Sequence, residues 1–175
     1  MRSAAVSERG PVLLCYDGSD PARRAIERAG LVVGGGEAIV LTAWESLGSA
    51  ILRNLPSRET AFGREARGIA EDVVEDLDAS TAEVARTTAG EGAELAAAAG
   101  FDARALARRA VARGGERTEV TAWRIVLDVA DEEAAELIVL GSRGRSGVKS
   151  MVLGSVSYGV VHNSKRPVLI VPPLP

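Results

Sequence analysis

Residues 11–43 have the sequence PVLLCYDGSDPARRAIERAGLVVGGGEAIVLTA, which predicts a strand, a helix and a second strand. The run Val12–Cys15 is apolar and stops before the turn sequence Asp17-Gly18-Ser19, as expected of a buried parallel strand. A second apolar run occupies residues 38–43. Two strands joined by a helix form the right-handed crossover unit of a parallel sheet. This stretch therefore predicts an α/β fold.

The helix between these strands has its own start and stop signals. Asp20 is predicted to cap the helix, with Pro21 at its first position, where a missing N–H costs nothing. The glycines at positions 34–36 are predicted to end it. Its apolar residues recur at helical spacing and are expected to pack on the sheet: Ala22, Ala25, Ile26, Ala29 and Val33.

Residues 56–100 are charged, rich in alanine and free of runs typical of strands, so they predict helix. Gly90 and Gly92 predict a break into two helical pieces. One apolar stripe is expected to face the core, and it consists of Ile69, Val73, Val74 and Leu77.

The rest of the chain continues the alternation of strands and helices. Residues 101–112 alternate like an edge strand, although each residue there is also a tolerable helix former. Residues 125–130 show helical spacing, and residues 137–140 and Val168–Val171 form two further apolar runs. The predicted fold is an open, doubly wound parallel sheet of about five strands with helices on both faces. We expect a flexible segment at residues 1–10 and a single domain over residues 11–175.

Composition excludes several classes of function. Cys15 is the only cysteine and His162 the only histidine, which rules out an intrachain disulfide, a CxxC motif, a thiolate zinc cage and a multi-histidine metal site. The formal net charge of −3 and the six scattered aromatic residues argue against nucleic-acid binding. No apolar run approaches the roughly 20 residues that span a bilayer. The first ten residues carry charges rather than a signal sequence, so we expect a cytoplasmic protein without membrane association.

The residues that follow the 137–140 strand carry the strongest chemical signal. Residues 141–150 read GSRGRSGVKS, and Gly154-Ser155 then opens a further helix. Glycines let backbone N–H groups approach an anion closely, and a helix N-terminus offers unpaired donors and a favourable dipole. Arg143, Arg145 and Lys149 add positive charge. Phosphate is therefore a natural ligand, and a tight turn with solvated basic side chains is the alternative.

This loop is neither a Walker A motif nor a GxGxxG fingerprint. Its glycines and serine instead fit the pattern G-x2-G-x9-G-S/T, with Gly141, Gly144, Gly154 and Ser155 at the fixed positions. That pattern resembles the ATP-binding signature of the universal stress protein family. Residues 16–19 (YDGS), 137–144 (LIVLGSRG) and 167–171 (PVLIV) are also similar to that family, and the resemblance covers nearly the whole chain.

The resemblance implies an adenine nucleotide alpha hydrolase-like fold and a nucleotide site made from three parts of the chain. Asp17 would lie near the ribose and adenine, with Cys15 and Tyr16 lining the pocket, and the backbone around Ala43 would contact the adenine edge. The remaining implied contacts wrap the ribose and phosphates: Gly141, Ser142, Arg143, Gly144, Arg145, Ser146 and Gly147 from the loop, then Gly154, Ser155 and Val156 from the following helix.

The resemblance also implies a ligand and a second copy of the chain. The ligand would be ATP, AMP or cyclic AMP, with any Mg²⁺ held through the phosphates. The family usually forms dimers through the last strand, here Val168, Leu169, Ile170 and Val171. Two departures from the family pattern are the length of residues 56–100 and the lack of a proline in residues 114–120.

Other candidate residues have simpler interpretations. His162 is expected near a helix C-terminus, where positive charge is favourable. A serine hydrolase would need Ser155 or Ser157 beside His162, but no G-x-S-x-G elbow is present. Asp17 could instead cap the helix that follows it. The acidic residues Asp131, Glu132, Glu133 and Glu136 fit a solvated helix face better than a metal site.

Taken together, the sequence predicts an ATP-binding, homodimeric stress-response protein that senses or regulates rather than a fast enzyme, with a protein partner that the sequence does not specify. At most slow ATP hydrolysis is expected, because an anion cradle stabilises developing charge without a dedicated base. Two alternatives remain open. One is a nucleotide-free dimeric interaction module, and the other is an ATP-cleaving ligase or nucleotidyl transferase, whose SGGxDS loop residues 16–20 do not supply.

Overall fold

A computed structural model of the chain describes residues 10–45, 60–110, 121–144 and 153–172. Strands and helices alternate along these residues. Their bounds are β1 Val12–Cys15, α1 Asp20–Val33, β2 Gly36–Glu45, α2 Ala61–Ala98, β3 Phe101–Ala110, α3 Ala122–Glu132, β4 Leu137–Gly141, α4 Ser155–Asn163 and β5 Val168–Val171. Of the predicted flexible segment 1–10, all but the last residue lies outside the described ranges.

The five strands form one parallel sheet in the order β3-β2-β1-β4-β5. Strand β1 lies in the middle, where Val12 is the register partner of Ala38 on one side and of Leu137 on the other. The chain therefore winds outward from β1 in two directions, and the order reverses between β1 and β4. The predicted doubly wound α/β architecture is confirmed.

Each face of the sheet packs against two of the helices. Leu14, Tyr16 and Val40 lie in the core beneath α1 and α2. Leu13 and Ile39, on the opposite face, belong to the core shared with α3 and α4. The alternation follows from strand geometry, in which successive side chains point to opposite faces. The near-continuous apolar runs of β1 and β4 are explained by burial on both sides.

Helix α1 buries the predicted alanine and isoleucine face, but its cap differs from the prediction. Ser19 is the N-cap, with φ −81° and ψ 154°, and its side chain accepts a hydrogen bond from the Ala22 N–H. Asp20 is already helical, so Pro21 occupies the second helical position rather than the first. The physical reason is that Ser19 has the extended backbone a cap requires, whereas Asp20 does not.

Helix α2 is one continuous helix of 38 residues, so the predicted break at Gly90 and Gly92 is wrong. Gly92 is needed for packing. A Cβ atom there would lie 2.6 Å from Tyr16 Cδ1 and 2.7 Å from Val40 Cγ1. The glycine therefore lets the helix lie directly on the sheet, and the contact offsets the loss of helix propensity.

The predicted apolar stripe of α2 is only partly buried. Val74 is buried, but Val73 and Leu77 are 51% and 40% exposed, and the side chain of Ile69 lies outside the described residues. The buried face instead follows Val74 through Asp78, which forms a 2.6 Å ion pair with Arg109. Small residues complete this face farther along the helix, and they are Ala85, Ala89, Gly92 and Ala96.

Strand β3 confirms the predicted strand within residues 101–112. It pairs with β2 along its whole length, from Gly36 opposite Phe101 to Glu45 opposite Ala110. Because β1 pairs with β2 only at residues 38–41, β2 and β3 continue together past the end of β1. This longer pair forms one wall of the space at the carboxyl edge of the sheet.

Candidate functional site

A cavity of about 670 Å³ opens at the carboxyl ends of the strands, beside the point where the strand order reverses. Open α/β sheets bind ligands at this position because the connecting loops diverge there. The walls come from β1, β2 and β4 and from the first turns of three helices. They consist of Cys15, Tyr16, Asp17, Ala22, Leu41, Ala43, Ala122, Val126, Leu140, Gly141, Arg143, Gly144, Gly154, Ser155, Val156 and Ser157.

Most of the sequence-predicted site residues meet in this cavity. Those that line it are Cys15, Tyr16, Asp17, Ala43, Gly141, Arg143, Gly144, Gly154, Ser155 and Val156. Ser142 is buried behind the lining, and its N–H donates to the Val171 carbonyl at 2.8 Å. Arg145, Ser146 and Gly147 lie outside the described residues.

Sequence reasoning missed several lining residues. Leu41 and Leu140 follow from strand alternation, because each shares a sheet face with Cys15. Ala122 and Val126 in the first turns of α3 carried no signal, since small apolar residues at a helix start have no distinctive chemistry. Ala22 and Ser157 complete the set, and they lie in the first turns of α1 and α4.

Asp17 supports the helix cap and also faces the cavity. Its Oδ1 atom accepts hydrogen bonds from the Ser19 N–H at 3.0 Å and from the Ser19 hydroxyl at 2.5 Å. The alternative that Asp17 itself caps α1 is therefore wrong, since Ser19 is the cap and Asp17 orients it. A Cβ atom on Gly144 would lie 2.9 Å from Asp17 Oδ2, so the β4 loop approaches this carboxylate closely.

Gly141 has a packing role that the sequence motif alone did not reveal. A Cβ atom at this position would lie 2.9 Å from the carbonyl carbon and oxygen of Pro21. The glycine therefore lets β4 approach the first turn of α1. Ser157 secures the same strand end from the other side, because its buried hydroxyl donates to the Gly141 carbonyl at 2.8 Å.

The start of α4 presents backbone donors to the cavity. The Gly154 N–H is already used, donating to the Ser142 carbonyl at 2.9 Å. Tyr158 makes the first intrahelical bond, to the Gly154 carbonyl at 2.8 Å. Between Gly154 and Tyr158 lie the N–H groups of Ser155, Val156 and Ser157, which have no acceptor within the helix. These three N–H groups are therefore available at the cavity, whereas the Gly154 N–H is already used within the chain.

Main-chain groups of Ala43 face the opposite side of the cavity. The Leu41 carbonyl accepts from the Tyr16 N–H at 2.9 Å, which shows that the polar groups of Leu41 point toward β1. Two residues later along a strand the same orientation recurs, so the N–H and C=O of Ala43 also point that way. Strand β1 has ended at Cys15 by this level, and the cavity lies where its next residues would pair.

The thiol and the phenol in the walls are held in their neutral forms. Desolvation, together with the negative charge of Asp17, raises the pKa of the Cys15 thiol to about 12. Burial raises the pKa of the Tyr16 phenol as well. Because the thiolate is the reactive species, Cys15 is a wall residue and not a nucleophile at neutral pH.

Iodoacetamide is expected to alkylate Cys15 in the native protein at pH 8 about 100-fold or more slowly than in protein unfolded by guanidinium chloride. The reason is the small thiolate fraction that a pKa of about 12 leaves at that pH. Time-resolved mass spectrometry of the alkylated chain measures both rates, and the unfolded chain serves as the control. A native rate within roughly tenfold of the unfolded rate would contradict this prediction.

The other candidate groups have structural partners. His162 lies in the last turn of α4, as predicted, and its ring stacks on Tyr158 with a centroid separation of 4.9 Å. Among the described residues no hydrogen bond joins His162 to Ser155 or Ser157, so a hydrolase dyad is not formed.

Three residues of the acidic run form ion pairs. Asp131 pairs with Arg166 at 2.8 Å, Glu132 with Arg108 at 2.5 Å and Glu133 with Arg104 at 2.5 Å. Within the described ranges no group of His, Cys, Asp or Glu could hold a metal ion, and no helix could span a membrane.

The parallel sheet and the cavity at its reversal point define a doubly wound α/β protein. A sequence model of the universal stress protein family matches residues 8–172, so the chain belongs to this family.

Individual relatives extend this result. Universal stress protein Rv1636 of Mycobacterium tuberculosis is 29% identical over 162 residues, which cover 91% of this chain and 94% of that protein. Universal stress protein YxiE of Bacillus subtilis is 56% identical over 46 residues, a segment that spans 26% of this chain and only 31% of the relative.

Solved structures share the fold. MJ0577 of Methanocaldococcus jannaschii superposes with a TM-score of 0.69 at 20% identity, over 95% of this chain and 97% of that one. A universal stress protein solved in complex with cAMP superposes with a TM-score of 0.55 at 27% identity, over 93% and 96% of the two chains.

Proposed function

We propose that this protein binds an adenine nucleotide in the cavity and acts as a nucleotide-dependent sensor or regulator in a stress response rather than as a fast enzyme. The observation that carries the proposal is that the two ends of one cavity offer different main-chain groups. One end offers the main-chain N–H and C=O of Ala43, and the other offers the free N–H groups at the start of α4. A nucleotide has matching ends, a flat base and an anionic phosphate.

The base end suits adenine. A main-chain N–H and C=O provide one donor and one acceptor side by side, which complement N1 and the 6-amino group of adenine. Guanine carries its donor and acceptor at the exchanged positions, so guanine held in the same orientation would face donor with donor. The apolar side chains of Leu41, Val126 and Leu140 would contact the faces of the base.

The phosphate end suits one or more phosphates. The N–H groups of Ser155, Val156 and Ser157 and the dipole of α4 favour an anion, and Arg143 in the wall adds positive charge. ATP is the ligand that we propose, with AMP and cyclic AMP as the closest variants. The relative solved with cAMP supports the nucleotide class. Mg²⁺ would be held through the phosphates with water completing its coordination.

A regulatory role fits the chemistry of the walls. The Oδ1 atom of Asp17 holds Ser19, and the thiol of Cys15 is held neutral, so neither of these groups is poised as a base that activates water. Any hydrolysis would then be slow. Nucleotide occupancy would shift the conformational population around the cavity and so change the surface offered to a partner. We place this function in the cytoplasm.

We further propose a homodimer through β5. This strand lies at the edge of the sheet, and Val168, Leu169 and Ile170 are only partly buried in the single chain. An apolar edge strand with unpaired backbone groups favours pairing with another chain. Equilibrium sedimentation of the wild type and of a Leu169→Lys variant tests the dimer independently of ligand binding.

The first experiment on the site is to purify the protein gently, denature it and identify any released nucleotide by chromatography and mass spectrometry. Stoichiometric adenine nucleotide supports the proposal. An empty protein whose melting temperature does not respond to added ATP, AMP or cyclic AMP would contradict it and favour the nucleotide-free interaction module. Appearance of AMP and pyrophosphate as products would instead favour a ligase or transferase.

Ser155→Pro is expected to weaken ATP binding about tenfold or more by removing one phosphate donor, since a hydrogen bond to a charged group contributes about 1.5–3 kcal/mol. Proline is well tolerated at the first position of a helix. Gly154, with φ −61° and ψ 158°, already has the backbone that a following proline requires. The melting temperature of the empty protein should therefore change little. Isothermal titration calorimetry measures the affinity.

Ser155→Ala is the matched control, because it removes the hydroxyl but keeps the N–H group. It is expected to lose less affinity than Ser155→Pro. Equal affinity of the proline variant and the wild type would show that this N–H group does not contact the phosphates.

A further inference from the structure

Helix α2 carries a second row of apolar side chains, separate from its buried face. Val73, Leu77 and Val84 are 51%, 40% and 63% exposed. Their spacing places them within about 40° of one another around the helix and over about 16 Å of its length. We call these three residues the outer stripe of α2. Exposed aliphatic residues aligned at helical spacing are the pattern that a helix uses to pack against another element.

The outer stripe lies beside a row of carboxylates. Asp72, Asp76 and Glu83 each immediately precede a stripe residue, and all three side chains are exposed. Glu83 forms a surface ion pair with Arg86 at 2.7 Å. From residue 71 to residue 83 the sequence has six acidic residues and no basic residue. Asp78 is buried and pairs with Arg109, so the exposed carboxylates of Asp72 and Asp76 give the outer stripe its negative border.

Charge decides which occupant this surface fits. A second copy of the chain would bring its own row of Asp72, Asp76 and Glu83 against this one, and like charges across an interface oppose association. A partner with positive side chains beside its apolar row would be attracted by the same border. The outer stripe therefore discriminates against self-association and in favour of a basic partner.

We propose that the outer stripe of α2 docks a basic amphipathic helix of another protein. That helix would present aliphatic side chains every three or four residues to Val73, Leu77 and Val84. A parallel row of Lys or Arg would face Asp72 and Asp76. The proposal does not depend on nucleotide binding, because the outer stripe shares no residue with the cavity lining.

Fluorescence anisotropy with three labelled synthetic 18-residue peptides tests the proposal on the full chain. The first is an amphipathic helix of leucine and lysine, the second replaces lysine by glutamate, and the third scrambles the order of the first. The lysine peptide is expected to bind at least about tenfold more tightly than either of the others, and its affinity should fall as salt rises.

Two double variants locate the binding surface. The double variant Leu77→Ser, Val84→Ser is expected to bind the lysine peptide at least about tenfold more weakly, since two apolar contacts are lost. The double variant Asp72→Asn, Asp76→Asn is expected to bind the lysine peptide about threefold more weakly, and the affinity should depend less on salt. Leu31→Ser with Val32→Ser is the matched control, because these residues are 77% and 71% exposed on α1 and should not affect binding.

Several outcomes would overturn the proposal. They are no binding of the lysine peptide, equal binding of the scrambled peptide, or unchanged binding by the Leu77→Ser, Val84→Ser variant. A change in sedimentation of that variant would assign the outer stripe to a second copy. If the lysine peptide binds only to the double variant Leu52→Ser, Leu55→Ser, the outer stripe would be assigned to residues 46–59 of this chain, which lie outside the described residues.

Discussion

We expect Ala43→Phe to raise the dissociation constant for ATP at least about 100-fold. The free energy of unfolding should change by less than about 1 kcal/mol. Ala43 is partly buried at the margin of the core shared with α3 and α4, and it also lines the cavity, so the new benzyl group would extend into the space proposed for the base. The main-chain groups of Ala43 would remain in place behind the ring. The effect is thus a block of the site and not a loss of the fold.

Isothermal titration calorimetry gives the affinity, and urea unfolding gives the stability. Trp44→Phe is the control, because Trp44 is the next residue of β2 and its side chain lies on the opposite face, where Arg109 sits over its ring at 5.6 Å. The control is expected to bind ATP within about threefold of the wild type. An Ala43→Phe protein that binds ATP as tightly as the wild type would show that the base lies elsewhere.

Gly92→Ala is expected to lower the free energy of unfolding by about 2 kcal/mol, whereas Gly90→Ala raises it by up to about 1 kcal/mol. The two substitutions are chemically identical and two residues apart in α2. At Gly92 the new methyl group would lie 2.6 Å from Tyr16 Cδ1, but at Gly90 it would meet no atom within 4 Å. Only the gain in helix propensity remains at Gly90.

The melting temperature should fall by about 4–8 °C for Gly92→Ala and rise slightly for Gly90→Ala, at the sensitivity typical of a chain of this size. Thermal unfolding followed by circular dichroism measures both. A decrease of similar size for both variants would mean that α2 does not rest on Tyr16 and Val40 in the way the structure describes.

The sequence predicts the sheet well because its strands carry their own signals. Residues 12–15 and 137–140 are apolar runs bounded by turn residues, and this local pattern requires burial on both faces. The cap of α1 was misplaced because residues 17–20 read DGSD and include three good capping side chains. Only the backbone conformation of Ser19 selects among them.

The sequence does not reveal the packing roles of two glycines, and the cause differs from that of the misplaced helix cap. Gly92 and Gly141 are small because another part of the chain, distant in sequence, touches them, and a single sequence does not reveal such contacts. For the same reason Gly141 is a poor choice for testing phosphate binding, since a side chain there would first disturb the contact with Pro21.

The sequence does not reveal Ala122 and Val126 as lining residues, because the start of α3 carries no motif. The chemistry of glycines and a helix N-terminus predicts the β4 loop and the start of α4, whereas the roles of Cys15, Tyr16, Asp17 and Ala43 come from the family resemblance.

The state of Cys15 has a consequence for how oxidants can act on this stress protein. Sulfenic acid forms from the thiolate, and a pKa of about 12 keeps that species scarce in the cell. Cys15 is also the only cysteine of the chain, so no second sulfur of the same molecule could resolve an oxidised intermediate. Peroxide therefore has no efficient thiol target in this molecule. A signal carried by thiol oxidation would have to reach it through the concentration of its ligand or through a partner that carries the reactive thiol.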